Sequence, residues 1–305
     1  MKFSVVIPMY NRAAFIGRTL RSCLEQEGDL EVIVVDDGSS DGSAEVVRRF
    51  DDPRIRLVRH EKNRGVGPAR NTGVGVATGD WIIALDSDDE LLPGAIAVME
   101  RRAREAGHAV QGMRFMTLFD DGGVSPEPPL DGQLWDYERY IRWAEAGMGR
   151  RQETLVVVRR ETFEQVRYCD SRAYESLYHL DFAKRFDSWA WPDVVRLYHR
   201  DAANQITKHA HWQVRRAAAD HATQVEQILE RHGSALAAWA PRRYAQYLCG
   251  RSTFHFLAGN RRKGFSAALA TLRVRPFLTR QWAVLAAGMV GRRPLSRLRA
   301  LRRDA

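Results

Sequence analysis

The sequence predicts an α/β protein: a mostly parallel sheet flanked by helices, with a helical C-terminal extension. Strand-like and helix-like segments alternate through the first hundred residues, the order in which parallel sheets are assembled. The strand segments are near-continuous apolar runs, as required when both faces of a sheet are covered. From about Thr207 onward the pattern is helical throughout.

In chain order, Phe3–Ile7 is a short apolar strand, and Ala13–Gln26 a helix with Phe15, Ile16, Leu20 and Leu24 at helical spacing. Leu30–Val35 is a second strand, Ser43–Phe50 a helix and Ile55–Val58 a third strand. Pro68–Ala77 is a helix with Pro in its first turn, where the missing N–H costs nothing. Trp81–Leu85 is a fourth strand and Pro93–Ala106 another Pro-opened helix. Beyond them come a strand over Val110–Phe119, a loop over Asp120–Gly132, a helix over Trp135–Ala146 and a strand over Leu155–Val158. Tyr174–Arg185 is a helix and Val194–Tyr198 a last strand. The helical extension is broken near Gly233, Pro241, Gly259, Pro276 and Pro294.

Parallel sheets of this kind bind ligands beyond the carboxyl ends of their strands. Those ends carry Pro8-Met9-Tyr10-Asn11-Arg12, Asp36-Asp37-Gly38, His60–Gly67 running into Arg70, and Asp86-Ser87-Asp88-Asp89. Carboxylates gathered at one edge repel one another unless a cation sits among them. Mg²⁺ or Mn²⁺ suits the place, because such ions take one or two carboxylates and complete their shell with phosphate oxygens and water. The alternative is that this acidic cluster caps the next helix, as Asp89 and Glu90 before Pro93 would do.

These four segments, in this order and spacing, resemble the family 2 glycosyltransferases: Val5–Arg12, Val34–Ser43, Asn63–Gly73 and Ala77–Asp89. The resemblance is dense over residues 3–99 and continues faintly to about residue 207. It implies a GT-A fold and inverting transfer from a nucleoside-diphosphate sugar, a UDP-sugar first among them. It implies that Pro8 and Tyr10 flank the nucleotide base, that Asp37 accepts a base N–H, and that Arg70 sits by the base, ribose or phosphates. It further implies that Asp86 contacts ribose or metal, and that Asp88 is the catalytic metal ligand to the diphosphate.

Inverting transfer also needs a base on the acceptor side. The family places it in a Glu-Asp pair that opens a helix, and the matching segment here is Ala173–Arg185. Tyr174 replaces the family's Glu, and Glu175 stands where its Asp would be, keeping the carboxylate on a longer arm. Glu175 is the expected base, with Asp170 and Asp181 as rivals; a first-turn acid favoured by the helix dipole is the structural alternative. Gly73-x-Gly75-x-x-x-Gly79 follows a helix rather than a strand, so it is no dinucleotide fingerprint. His209-x-His211 lacks further ligands. His199-Arg200 either reaches the diphosphate or forms a plain loop, and Trp135, Tyr140 and Trp143 either stack on acceptor sugars or pack a helix face.

The chain has 305 residues with a net charge of +9, but the excess is local. From Pro241 to the end there are 15 of the 47 basic residues and one of the 38 acidic ones, Asp304; residues 1–240 therefore hold 32 basic and 37 acidic. A net acidic first region argues against a nucleic-acid partner. The tail mixes arginines with Phe and Trp, which fits attachment to an anionic membrane surface or a docked helical subdomain, two compatible readings. No run approaches the 18 or so apolar residues of a spanning helix; Trp282–Val290 has about half. Three scattered cysteines support neither disulfides nor zinc and point to a reducing, cytoplasmic setting.

The expected organisation is thus a glycosyltransferase domain over 1–207, with donor-binding (1–107) and acceptor-binding (108–207) halves, and a basic helical region over 208–305. The expected activity is metal-dependent transfer of a sugar to a saccharide or lipid-linked acceptor in cell-surface polysaccharide or glycan synthesis, at the cytoplasmic face of a membrane. The rival is a nucleic-acid- or membrane-binding protein with a catalytically degenerate domain.

Overall fold

The structure, a computed structural model, describes residues 1–170, 175–200, 215–274, 276–277 and 279–290. Tyr174, the expected boundary at 207, the His209–His211 pair and Pro294 lie outside them. The chain divides into two compact units. One comprises Met1–Tyr140, Gly147–Ser171 and Tyr178–Ala203; the other comprises Ile141–Ala146, Arg172–Leu177 and Asn204–Ala305.

The first unit is a helix-covered sheet. Its strands are β1 (Phe3–Met9), β2 (Leu30–Asp36), β3 (Ile55–Arg59), β4 (Trp81–Ala84), β5 (Glu90–Leu91), β6 (Gly112–Phe119), β7 (Val124–Ser125), β8 (Gln133–Trp135), β9 (Leu155–Arg159) and β10 (Ser188–Tyr198). The order is β3-β2-β1-β4-β9-β6-β10-β5, with β7 beside β6 and β8 beside β10. The first four strands form the parallel block, and β10 runs parallel to β6. β9 is antiparallel to both β4 and β6, so it joins the two parallel parts.

The helices are α1 (Ile16–Leu24), α2 (Ser43–Arg48), α3 (Val66–Val76) and α4 (Ala95–Ala106), while α5 (Tyr137–Ala146) and α6 (Ser176–Arg185) are each divided between the two units. Strand residues alternate between two apolar layers. Phe3, Val5, Ile7, Val32, Val34 and Ile83 pack with Ile16, Leu20, Val47, Ile96 and Met99 of α1, α2 and α4. Val6, Ile33, Val35 and Ile82 face the other way, against Ala69 and Val74 of α3 and Tyr178 and Phe182 of α6. Two covered faces explain why the strands read as continuous apolar runs; each fully buried aliphatic side chain contributes about 1.5–3 kcal/mol. Gly73 is what lets α3 lie this close, because a Cβ there would run into Val6 Cγ1 of β1.

Four local expectations are corrected. Pro93 does not open a helix: Gly94, at φ 77°, turns the chain and α4 starts at Ala95. Trp135 belongs to β8, where it is buried, rather than to α5. β10 begins at Ser188, six residues before the expected start. Pro192 hid this stretch, since the ladder to β6 breaks register between Ala190 and Val194. Gly233 breaks nothing and sits inside α7.

The second unit carries α7 (Arg215–Trp239), α8 (Pro241–Ala258), α9 (Arg261–Val274) and α10 (Thr279–Val290). Ala218, Ala222, Val225, Phe254, Phe256, Leu257, Val284 and Ala287 form its core. α9 and α10 close on Phe256 through glycines, for a Cβ at Gly264 or Gly288 would lie 2.6–2.7 Å from its ring. Within the same unit, Glu145 accepts the backbone N–H groups of Arg242 and Arg243, both at 3.0 Å, at the open N-terminus of α8. Among the described residues no helix is long and apolar enough to cross a membrane.

Candidate functional site

β1 outlasts β4, and the consequence is an opening in the sheet. Val6 O still accepts the N–H of Leu85 at 3.1 Å, but β4 ends at Ala84. Two residues on, Pro8 faces the same side with no N–H to offer and no strand opposite, so proline is tolerated in a central strand. Because β2 and β3 lie to one side of β1 and β4 to the other, this is the point where strand order reverses, the usual ligand crevice of such sheets.

The first unit collects six of the seven expected site residues here. Tyr10 follows β1 with 44% of its surface exposed. The next residue, Asn11, has a φ of 51° and is locked to the turn after β2: its N–H donates to Ser39 Oγ at 2.9 Å, and its Oδ1 accepts from Ser40 N at 2.9 Å.

Asp37 is buried and engaged. It accepts the backbone N–H of Arg64 at 2.9 Å and of Gly65 at 2.7 Å, and contacts His60 Nδ1 at 2.7 Å. His60 Nε2 in turn meets Thr72 Oγ1 at 2.9 Å. In this structure, then, Asp37 organises the loop that leads into α3. That loop delivers Arg70, buried on α3, whose Nη2 donates to Asp86 Oδ1 at 2.7 Å. Arg70 also lies 5.3 Å from the centre of the Tyr168 ring, and Asn71 fixes that tyrosine by bonding both its N–H and its C=O.

Asp86 and Asp88 follow β4. The Asp86 side chain is 41% exposed, whereas Asp88 is buried. Burial, and then the charge of Asp86, push the Asp88 carboxyl above the usual carboxylate range; Arg12 and Arg18 pull it down less than that. Arg12 Nε is 3.8 Å from Asp88 Oδ2, and Arg18 Nη2 donates to the Asp88 carbonyl at 2.8 Å. Asp89, fully buried, is raised further by desolvation against the pull of Arg196, whose Nη1 lies 3.4 Å away.

Arg12, Arg18 and Arg196 are not among the expected site residues, and Asp89 is expected only within the acidic run or as a helix cap. Arg12 sits in the first strand-end segment, and Arg196 interrupts the apolar run Val194-Val195-Arg196-Leu197, where a buried cation demands an acidic partner. His199 N donates to Asp89 Oδ1 at 3.3 Å, and its Nε2 lies 2.5 Å from Glu90 Oε1, so the segment after β10 is tied to the acidic turn.

Glu175, half-buried, is the residue immediately before α6 and falls in the second unit. Of its rivals, Asp170 is exposed and paired with Arg64 at 3.3 Å. Asp181, in the second turn of α6, lies beside Tyr137; burial and then that carboxylate push the Tyr137 hydroxyl up to about 12. Of the aromatic residues weighed for sugar stacking, Tyr140 lies under Arg114 with its ring centre 4.6 Å from the guanidinium.

No group of three or more His, Cys, Asp or Glu placed to hold a metal ion occurs among the described residues. Two carboxylates suffice for a cation that also binds a diphosphate. Asp88 suits such a cation, being buried, repelled by Asp86 and approached by a cationic side chain only at 3.8 Å.

The family model described as glycosyl transferase family 2 matches residues 4–167. The chain is similar to the succinoglycan biosynthesis protein ExoO of Rhizobium meliloti (strain 1021), 48% identical over 103 residues, or 33% of this chain and 30% of that one. It is similar to the amylovoran biosynthesis glycosyltransferase AmsB of Erwinia amylovora, 32% identical over 178 residues, or 55% of this chain and 58% of that one. It thus spans less than two thirds of the length of either relative. Among solved structures, S. aureus TarS 1-349 in complex with UDP-GlcNAc superposes with a TM-score of 0.62 at 16% identity, covering 100% of this chain and 92% of that one. The mannosyltransferase PcManGT from Pyrobaculum calidifontis, in complex with GDP-Man and Mn²⁺, gives a TM-score of 0.55 at 20% identity, covering 94% and 86%. At such identities the two structures speak for the fold.

Proposed function

Because the chain belongs to glycosyl transferase family 2, we propose that it is a metal-dependent inverting glycosyltransferase acting on a nucleoside-diphosphate sugar. The observation that carries the reading is the pairing of Arg70 with Asp86, beside Asp88, at the crevice where β1 outlasts β4. Relatives named for succinoglycan and amylovoran biosynthesis support a saccharide or lipid-linked acceptor and a place in cell-surface polysaccharide synthesis. A UDP-sugar is the first donor to try, since TarS was solved with UDP-GlcNAc.

In this reading Pro8 and Tyr10 border the nucleotide base, and Asp37 holds the loop that closes the base pocket as well as meeting the base. Arg70 fixes Asp86 toward the ribose and supplies positive charge beside the diphosphate. Asp86 and Asp88 hold Mg²⁺ or Mn²⁺, which when bound stabilises the charge that develops on the departing diphosphate. Glu175 removes the proton of the acceptor hydroxyl as that oxygen bonds to the anomeric carbon. The nucleoside diphosphate leaves from the opposite face with the electron pair of the broken C–O bond. A base so used contributes about 10²–10⁴-fold.

The domain assignment is carried forward with it: a transferase domain over 1–207 and a basic helical region over 208–305, working at the cytoplasmic face of a membrane. The degenerate, nucleic-acid-binding alternative is not favoured, since residues 1–240 carry more acidic than basic groups. A panel of nucleotide sugars, followed by release of nucleoside diphosphate with and without Mn²⁺, tests the proposal. One donor consumed in a Mn²⁺-dependent way supports it; silence across the panel together with no binding of any nucleoside diphosphate overturns it.

A further inference from the structure

α10 is apolar on both sides. Val284 and Ala287 enter the core of the second unit, while Trp282, Ala286 and Met289, at three- and four-residue spacing, form a stripe on the opposite side. Trp282 is 54% exposed and Met289 59%. In the turn before α10 Phe277 is 93% exposed, and on α9 Val274 is 60% and Leu269 50% exposed. A helix that is apolar all round is normally covered, and large apolar patches rimmed by polar groups mark interaction sites.

Two features identify the cover. The first is charge: Arg261, Arg262, Lys263 and Arg273 are exposed on α9, and no acidic residue occurs between Pro241 and Asp304. A protein partner or a second copy of this chain would have to bring acids against that surface, and residues 241–303 supply none. The second is the state of the polar atoms. The indole N–H of Trp282 donates to Pro276 O at 3.0 Å, so the exposed part of the ring is wholly apolar. Arg261 Nη2 donates to the Met289 carbonyl at 3.0 Å, satisfying a group at the open end of α10 and placing a cation beside the stripe. An apolar strip with its own hydrogen bonds closed and a cationic border matches the boundary between acyl chains and anionic headgroups.

We propose that the α9–α10 face, centred on Phe277 and Trp282, is a peripheral docking surface for an anionic lipid bilayer. It deepens the reading of a lipid-linked acceptor and rests on that reading for its purpose; its evidence is the surface itself. The helices lie in the interface, with the aromatic and aliphatic groups dipping below the headgroups and Arg262, Lys263 and Arg273 reaching the phosphates.

Flotation of the full chain, without nucleotide, tests this with vesicles of phosphatidylcholine alone or mixed with phosphatidylglycerol. The expected result is binding to the mixed vesicles that falls about tenfold or more in Phe277→Ser and in the double variant Arg262→Glu/Lys263→Glu, and falls with added salt. Phe277 is almost fully exposed, so its variant keeps the native circular dichroism. Equal binding to both vesicle types, no binding, or binding that survives Phe277→Ser overturns the proposal. So does a monomer–dimer equilibrium abolished by Phe277→Ser in a chain that never floats, which would assign the face to a second copy. Because no sugar donor is present, failure here leaves the transferase reading intact, and a chain inactive on every donor can still float.

Discussion

Arg70 Nη2 and Asp86 Oδ1 meet at 2.7 Å across the mouth of the crevice, one from a buried helix position and the other from the turn after β4. The pair joins the wall that bears the His60–Gly67 loop to the edge that bears the acids. Asp86 is thereby held with one oxygen engaged and much of the side chain exposed.

Removing the cation should therefore cost binding and positioning together. Arg70→Met is expected to lower kcat/KM by roughly tenfold to a hundredfold, the scale of one hydrogen bond to a charged group. Steady-state kinetics at saturating Mn²⁺ checks it, with the circular dichroism unchanged.

Asp88 is buried beside a like charge, and its carboxyl titrates above the usual range for that reason. Between its ordinary value and the raised one, the folded chain holds a proton that the unfolded chain has lost. Stability from this group therefore falls as pH rises through that window. At neutral pH Asp88→Asn is expected to melt no lower than the parent without divalent ions. Mn²⁺ should raise the Tm of the parent only. Thermal melts with and without Mn²⁺ read both effects.

Glu175→Gln removes the proposed base and leaves the donor crevice alone. Transfer should fall about 10²–10⁴-fold while the affinity for nucleoside diphosphate stays put. Near-normal transfer would move the role to another carboxylate, and Asp170→Asn is then the next variant to assay.

Glu145 caps α8. Burial would raise its carboxyl, but the N–H groups of Arg243 and Arg242 and the Arg242 side chain outweigh burial and hold it below the ordinary value. Its contribution is complete above the unfolded carboxylate value and is lost as pH falls through the folded one. Glu145→Ala should cost about 1 kcal/mol at neutral pH and less in acid, measured by denaturant unfolding at two pH values.

Gly73→Ala tests the packing that builds the crevice wall. The added methyl meets Val6 and Val35, so about 1–3 kcal/mol of destabilisation is expected in the same unfolding assay.

The alternation in the first hundred residues was legible because β1, β2 and β4 are buried on both faces and α1 and α4 are amphipathic. The strand-end acids were legible because parallel strands deliver their carboxyl ends to one edge. What the sequence concealed follows from long-range contact. Pro192 masked half of β10, whose pairing partner β6 lies nearly eighty residues earlier. Asp89 reads from sequence as part of the acidic run or a cap, and Arg196 stands unmarked within a strand, until the fold buries them side by side. Asp37 looked like a free hydrogen-bond acceptor, yet the amides of Arg64 and Gly65 already fill much of its capacity.

The most direct measurement is a calorimetric titration of UDP and GDP into the parent and Asp88→Asn, each with and without Mn²⁺. The account predicts that one nucleotide binds the parent, that Mn²⁺ tightens this by at least about tenfold, and that Asp88→Asn loses the gain. Binding of neither nucleotide, or equal binding with and without Mn²⁺ in both proteins, would contradict it.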